Sequence, residues 1–139
     1  AVFYDYLHKY IYKSPVIHAD ETHVLVRKDG REAGSKSYMW VYRTGEKEKK
    51  AVIIYEYQKT RKADNPERFL KDYKGICVTD GYQVYHTIEK EREALKIAGC
   101  WAHARRHFDE SVKALPKDKK KSSLAYLIHR QQPVNYKYN

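Results

Sequence analysis

Cysteine is scarce in this chain: Cys77 and Cys100 are the two among 139 residues. Two thiols build no disulfide framework, which excludes a small cross-linked secreted scaffold. Both read instead as buried, reduced thiols of an intracellular protein. No apolar run approaches membrane-spanning length, so no transmembrane helix and no membrane partner is expected. A charged-then-apolar leader of the secretory kind is absent too. The chain opens at Ala1 rather than Met, inside a helical pattern, and reads as a piece of a longer protein. What is left is a length sufficient for one domain with its own core.

Charge and aromatics dominate what is present. Lys and Arg total 28 against 18 Asp and Glu, for a net charge of +10 and a pI near 9.5. Such a balance favours a polyanionic partner, and nucleic acid is the commonest. A basic surface that serves only solubility is the alternative. The 14 tyrosines interleaved with basic residues favour nucleic acid over it.

Along the chain, Val2, Phe3, Tyr6, Leu7, Tyr10 and Ile11 keep helical spacing, and Ser14-Pro15 ends that helix. Residues 1–14 are thus a helix leading into the core. Val16 to Arg27 reads as one strand, with a turn at Lys28-Asp29-Gly30. Lys36 to Arg43 is a second strand, with Tyr38, Trp40 and Tyr42 on one face and Met39 and Val41 on the other. Ala51 to Gln58, rich in β-branched and aromatic residues, is a third. Short turns make the three an antiparallel meander.

The pattern then changes. After the polar loop Lys59–Asp64, Asn65 is an expected N-cap with Pro66 at the first helical position. Gly75 stops that helix. Ile76-Cys77-Val78 is a short buried strand running to Asp80-Gly81, followed by a helix over Tyr82–Glu91. Leu95 to Cys100 is a fifth strand. Ala102 to Leu115 is a helix with Ala104, Phe108, Val112 and Leu115 inward. The order β-β-β-α-β-α-β-α implies an α/β fold with a mixed five-stranded sheet, three antiparallel strands plus two parallel ones. Residues 15–115 form the expected core. Residues 116–139, with the basic run Lys117–Lys121 and one apolar patch at Leu124–Ile128, are expected to be a partly disordered tail.

Chemistry concentrates in His18-Ala19-Asp20-Glu21-Thr22. Two carboxylates stand inside a run of strand formers, where an uncompensated charge costs several kcal/mol, of the order known for buried ions. Three antiparallel strands followed by α-β-α-β-α is the order of the ribonuclease-H-like fold. There the fourth strand lies parallel to the first, which makes Asp80 the expected partner of Asp20. Two carboxylates at one point repel and raise each other's pKa, and a divalent metal removes the conflict. Oxygen ligands at a phosphate-processing site suit Mg²⁺ or Mn²⁺. Two such ions about 3.5–4 Å apart can activate a water or a 3′-hydroxyl and stabilise a leaving oxygen.

The blocks Tyr38-Met39-Trp40-Val41-Tyr42, Thr79-Asp80-Gly81-Tyr82 with Tyr85, and Cys100-Trp101-Ala102-His103-Ala104-Arg105-Arg106-His107-Phe108 follow His18–Thr22 in that order. From about Leu7 to Leu115 the chain resembles the central catalytic region of bacterial transposases of the insertion-sequence-66 family, a DDE-type group. The resemblance implies a ribonuclease-H-like fold and metal-dependent DNA strand cleavage and strand transfer. Its implied partners are the transposon ends and target DNA, with a homo-oligomer of the full-length protein in the bacterial cytoplasm. It carries Asp20 and Asp80 over as the first two catalytic acids. The family's third acid is a Glu far downstream, in an Asn-rich helix containing Glu-Arg, and nothing in Ser122–Asn139 matches that segment. The expectation is two acids of three, through truncation or a change of frame, and little or no activity from this chain alone. The alternatives are an inactive DNA-binding or interaction module, or a standalone nuclease completed by Glu110. Asp109-Glu110 fit a solvated helix face better.

Other residues carry two readings each. Glu21 points to the opposite sheet face by strand alternation, as a salt-bridged neighbour, or it joins the metal site. His18 shares a face with Asp20, and a hydrogen-bonded core histidine is its plainer role. Cys100, His103 and His107 with Cys77 suggest zinc, on spacing loose enough that core thiols are preferred. Trp101 stacks on a base or caps the core, the core being preferred. His103, Arg105 and Arg106, at the start of a helix beside the expected site, are candidate DNA contacts, with Lys36 and Arg43 as further ones. A solvated helix face is the alternative for the two arginines.

Overall fold

The computed structural model of the chain describes residues 2–26, 30–32 and 34–130. Its elements are α1 (Val2–Ile11), β1 (Val16–Leu25), β2 (Lys36–Thr44), β3 (Ile53–Gln58), α2 (Asp64–Leu70), β4 (Gly75–Thr79), α3 (Gln83–Lys90), β5 (Leu95–Gly99), α4 (Trp101–Ala114) and α5 (Leu124–Arg130). The expected turn at Lys28-Asp29 and the expected disorder at the chain's end lie outside the described residues. Two compact units divide the chain, the first up to Gly99 and the second from Cys100.

The first unit is a five-stranded mixed sheet in the order β3-β2-β1-β4-β5. β1 pairs antiparallel with β2, and β2 with β3. β4 joins the other side of β1 in parallel, and β5 follows β4 in parallel. The parallel pairs need crossovers, and α2 and α3 supply them. The fold is therefore α/β, with the mixed sheet that the strand pattern implied.

Alternation along the strands decides which face is buried. Ile17 and Ala19 of β1, Trp40 and Tyr42 of β2, Ile54 of β3 and Cys77 of β4 share one core with Ile11 of α1, Phe69 and Leu70 of α2, and Tyr85 and Ile88 of α3. Phe69 lies stacked on Tyr42, ring centroids 3.4 Å apart and planes within 4°. The link from α1 to β1 is tied beneath β4. The Tyr73 hydroxyl donates to the Ser14 carbonyl at 3.0 Å, and Ile76 N–H donates to the Pro15 carbonyl at 2.9 Å. Gly75 sits there at φ +145°, and a Cβ would meet the Pro15 oxygen and the Tyr73 hydroxyl at 2.7 Å. No other residue fits without moving backbone.

The start of α2 differs from expectation. Its first residue is Asp64, with Ala63 at the cap position and no side-chain cap. Asn65 is buried, and its amide donates to the Thr60 carbonyl at 2.9 Å. That amide closes the preceding loop instead of capping. Pro66 stands at the third helical position, two later than expected, and is tolerated there because the first four helical N–H groups have no partner inside the helix.

The second unit holds α4 and α5. The apolar patch Leu124–Ile128 is α5, not irregular tail. Ala104, Phe108, Val112 and Leu115 are the half-buried stripe of α4 and its cap. Trp101 corrects an expectation: it is 51% exposed, because α4 has no fully buried residue and offers no core to cap. Among the described residues no helix is long and apolar enough to cross a membrane.

Candidate metal centre

The site is set by register. β1 and β4 pair Ile17 with Cys77 and His18 with Val78. Two residues further on, that parallel register puts Asp20 level with Asp80, just past the end of β4. Equivalent positions of parallel neighbours point to one side of the sheet, so both carboxylates leave the same face. Ligand sites in such sheets favour strand C-terminal ends.

Asp80 is held by its own turn. Gly81 adopts φ +93°, the left-handed region that glycine enters without cost. This turn lets Tyr82 N–H donate to Asp80 Oδ1 at 2.9 Å. Asp80 Oδ2 stays at the mouth of the turn, 3.5 Å from the Arg61 guanidinium. At Asp20, Oδ1 accepts the Glu21 backbone N–H at 2.9 Å.

Glu21 faces the core side, as alternation requires, yet its carboxylate reaches the same point. One ligand oxygen each from Asp20, Glu21 and Asp80 lie within 4.8 Å of one another. Among the described residues this is the group of three ligating side chains near enough to share an ion. The meeting is possible because β4 stops at Thr79 and leaves no strand between the two faces there.

A side chain the sequence reading did not select completes the geometry. Arg61, in the loop between β3 and α2, donates from Nε to Glu21 Oε1 at 2.6 Å. Its guanidinium lies over the Tyr82 ring, 4.0 Å from the centroid, and its carbonyl accepts the Tyr82 hydroxyl at 3.1 Å. Nothing in the local pattern marked Arg61. The usable signal was a lone arginine in the polar loop leading from the third strand toward the Asp80 turn.

The electrostatics follow. Burial raises the Glu21 pKa; the Arg61 hydrogen bond and charge lower it, Asp80 and Asp20 raise it again, and the net shift is upward. For Arg61 burial opposes the charge, but the Glu21 hydrogen bond and the Glu21 and Asp80 charges outweigh it, and its pKa rises. Glu21 is 3% exposed at its side chain, and its Oε2 is buried without a hydrogen-bond partner among the described residues. Converging hard oxygens with one orphaned and buried are a donor set that fits a divalent cation. Asp20 and Asp80 would hold it.

The zinc alternative finds no such convergence. Among the described residues, Cys100, His103 and His107 form no group able to share an ion. Cys77 is buried, and burial pushes its thiol up to about 12. His18 is half-buried on the Asp20 face rather than in the core, its pKa lowered by burial and by Arg43 across the β1–β2 pair.

The transposase IS66 family model matches residues 1–132. The chain belongs to the IS66 transposase family. It is 30% identical over 114 residues to the protein named "Uncharacterized protein y4qI" of Sinorhizobium fredii (strain NBRC 101917 / NGR234), covering 75% of this chain and 21% of that one. Its likeness to "Uncharacterized protein y4jD" of the same strain is 30% over 119 residues, 79% of this chain and 23% of that one. The chain thus spans about a fifth of the length of the curated relatives it matches. No solved structure gives a significant match.

The remaining candidates of this transposase-family chain fall in both units. Arg43 shares the Asp20 face, two positions along the sheet opposite His18, and pairs with Glu46 at 3.2 Å. Lys36 stands at the far end of β2 opposite Leu25, exposed and on the other face. His103 and Arg105 are half-buried and Arg106 is exposed, all on α4 in the second unit. Glu110 is exposed on that helix and lies 3.7 Å from His107. Its neighbour Asp109 pairs with Lys113 at 2.6 Å.

Proposed function

We propose that the first unit is the metal-binding part of a DNA transposase catalytic domain of ribonuclease-H-like type. Asp20 and Asp80 are its two resident acids, and Mg²⁺ or Mn²⁺ is its cofactor. The observation that carries this reading is the convergence of ligand oxygens from Asp20 and Asp80, with Glu21, within 4.8 Å at the C-terminal end of β4. The sheet order β3-β2-β1-β4-β5 supports the ribonuclease-H-like type, and family membership supports the reaction class.

When bound, the ion would supply Lewis-acid activation of water or a 3′-hydroxyl and charge neutralisation at a phosphodiester. The chain's own residues fix where that happens. Gly81 and Tyr82 N–H orient Asp80, and the Glu21 N–H orients Asp20. Arg43 on the Asp20 face, with Arg105, Arg106, His103 and Lys36 elsewhere, are the proposed contacts to the DNA backbone. No stretch of Ser122–Asn139 matches the segment that carries the family's third acid, so on this reading the chain alone binds metal weakly and turns over little or no DNA.

A Mn²⁺ titration of the wild type against Asp80→Ala tests the assignment. Loss of outer-shell partners alone typically costs 10–100-fold in metal affinity, so removing a direct ligand should cost at least about tenfold. Equal affinity in both proteins would sink it. Binding to DNA should weaken steeply as salt rises, through release of counterions. A flat salt response would refute the DNA assignment.

A further inference from the structure

Arg61 is held more firmly than an ordinary surface arginine. Its Nε donates to Glu21 at 2.6 Å, its guanidinium lies 3.5 Å from Asp80 Oδ2, and the Tyr82 ring carries its face at 4.0 Å. The Tyr82 hydroxyl clamps the Arg61 carbonyl at 3.1 Å. Tyr82 is itself tied to Asp80 through its backbone N–H. The cation and the turn that presents Asp80 are therefore one assembly.

Its partner is a carboxylate that cannot stand alone. Glu21 is 3% exposed at the side chain. A buried carboxylate needs a compensating charge. Arg61 serves Oε1, while Oε2 is buried with no hydrogen-bond partner among the described residues. Oxygen ligands on opposite sides of an octahedral Mg²⁺ are about 4.2 Å apart, and larger ions take slightly wider spacings. The 4.8 Å spread of the three carboxylates is within a small side-chain adjustment of that. The guanidinium contacts two of the three carboxylates, Glu21 and Asp80, that such an ion would take.

We propose that Glu21 is a third carboxylate of the cation site, and that Arg61 is the counter-ion holding that place until a divalent ion displaces it. The inference rests on the assignment of Asp20 and Asp80 to a metal site. It adds that metal binding is a cation exchange. Arg61 keeps Glu21 and Asp80, two of three mutually repelling carboxylates, gathered in the metal-free chain, and the ion must compete with it.

The test is Mn²⁺ binding to the full chain, read from the electron paramagnetic resonance of the free ion. Arg61→Gln should bind Mn²⁺ about three- to tenfold more tightly, the range set by the modest worth of a partly exposed ion pair. Adding Glu21→Gln to that variant should weaken binding by about tenfold or more, as loss of a ligand does. An Arg61→Gln affinity equal to or weaker than wild type, with Asp80→Ala impaired, overturns the inference and leaves the Asp20–Asp80 site standing. So does a double variant that binds as tightly as Arg61→Gln. If Asp80→Ala binds like wild type, the site assignment fails first and the inference with it. The unmutated chain gives an independent reading should a variant not fold. Saturating Mg²⁺ should shift or broaden the Arg61 Nε–H resonance in a nitrogen–proton spectrum, and an unmoved resonance would overturn the exchange.

Discussion

Glu21→Gln should make the metal-free chain more stable at neutral pH. Burial, partly offset by Arg61 and reinforced by Asp80 and Asp20, raises the Glu21 pKa above its unfolded value. A raised carboxyl pKa means that the folded state binds the proton more tightly. The stability it contributes is complete below the unfolded pKa and is lost as pH rises through the folded one. Glutamine keeps the shape, still accepts from Arg61 through its oxygen, and puts a neutral amide donor at the orphaned Oε2 position, in the acidic group Glu21 forms with Asp20 and Asp80. The size follows from two opposed quantities. A buried polar atom without a partner costs about 1–3 kcal/mol. The ion pair to an Arg61 guanidinium that is 39% exposed returns at most about 1 kcal/mol. The remainder, about 1 kcal/mol, is a factor of about five in the folding equilibrium. Melting should rise by about 3 °C for a chain of this length. Urea unfolding with a chelator present, at pH 7 and again near pH 3.5, measures it. The gain should vanish at the lower pH, below the ordinary glutamate range, where both side chains are neutral. A variant less stable than wild type at pH 7, or one whose gain is unchanged at low pH, would refute the reasoning.

Phe69→Ala removes the ring stacked 3.4 Å from Tyr42 in the shared core and should cost about 3–5 kcal/mol in urea unfolding. Gly75→Ala forces a Cβ to 2.7 Å from two oxygens at φ +145° and should cost about 1–3 kcal/mol or more, read in the same experiment. In native protein an aromatic disulfide reagent should modify Cys100 readily. Cys77, buried and with its pKa near 12, should react only as fast as the chain opens, and equal rates would contradict its placement.

The strands could be read because their residues obey local rules. Alternation in Lys36–Arg43 put Trp40 and Tyr42 on one face, and both are fully buried. Punctuation by Pro15 and Gly81 placed the breaks within a residue or two, whereas α2 ends at Leu70, well before the expected stop at Gly75, which instead opens β4. What failed was decided by contacts made elsewhere. Asn65 looked like a cap, but its amide is taken by the Thr60 carbonyl. Trp101 looked like a core residue from its size, but burial needs a partner surface, and α4 supplies none. The tail patch Leu124–Ile128 was recognised as apolar without its helical state, since five residues are too few to show a period.

The site divides along the same line. That Asp20 and Asp80 lie close follows from strand order together with the parallel β1–β4 register, which brings a mid-strand acid level with an acid at the neighbour's end. Glu21 does not follow, since alternation sends it to the other face. Its return depends on β4 ending one residue before Asp80, so that beyond Thr79 no backbone separates the faces. Arg61 depends on still more: it lies 40 positions along the chain from Glu21, and the chain between must fold before its loop meets that side chain. Periodicity describes one element at a time and cannot carry such a contact. Adjacent carboxylates in a strand nevertheless contain a hint of it. Alternation cannot place both on one face, and burial forbids leaving the inward one bare, so such a pair demands a cation from another element. In this chain the demand is met by Arg61, and the same demand makes the place suitable for a metal.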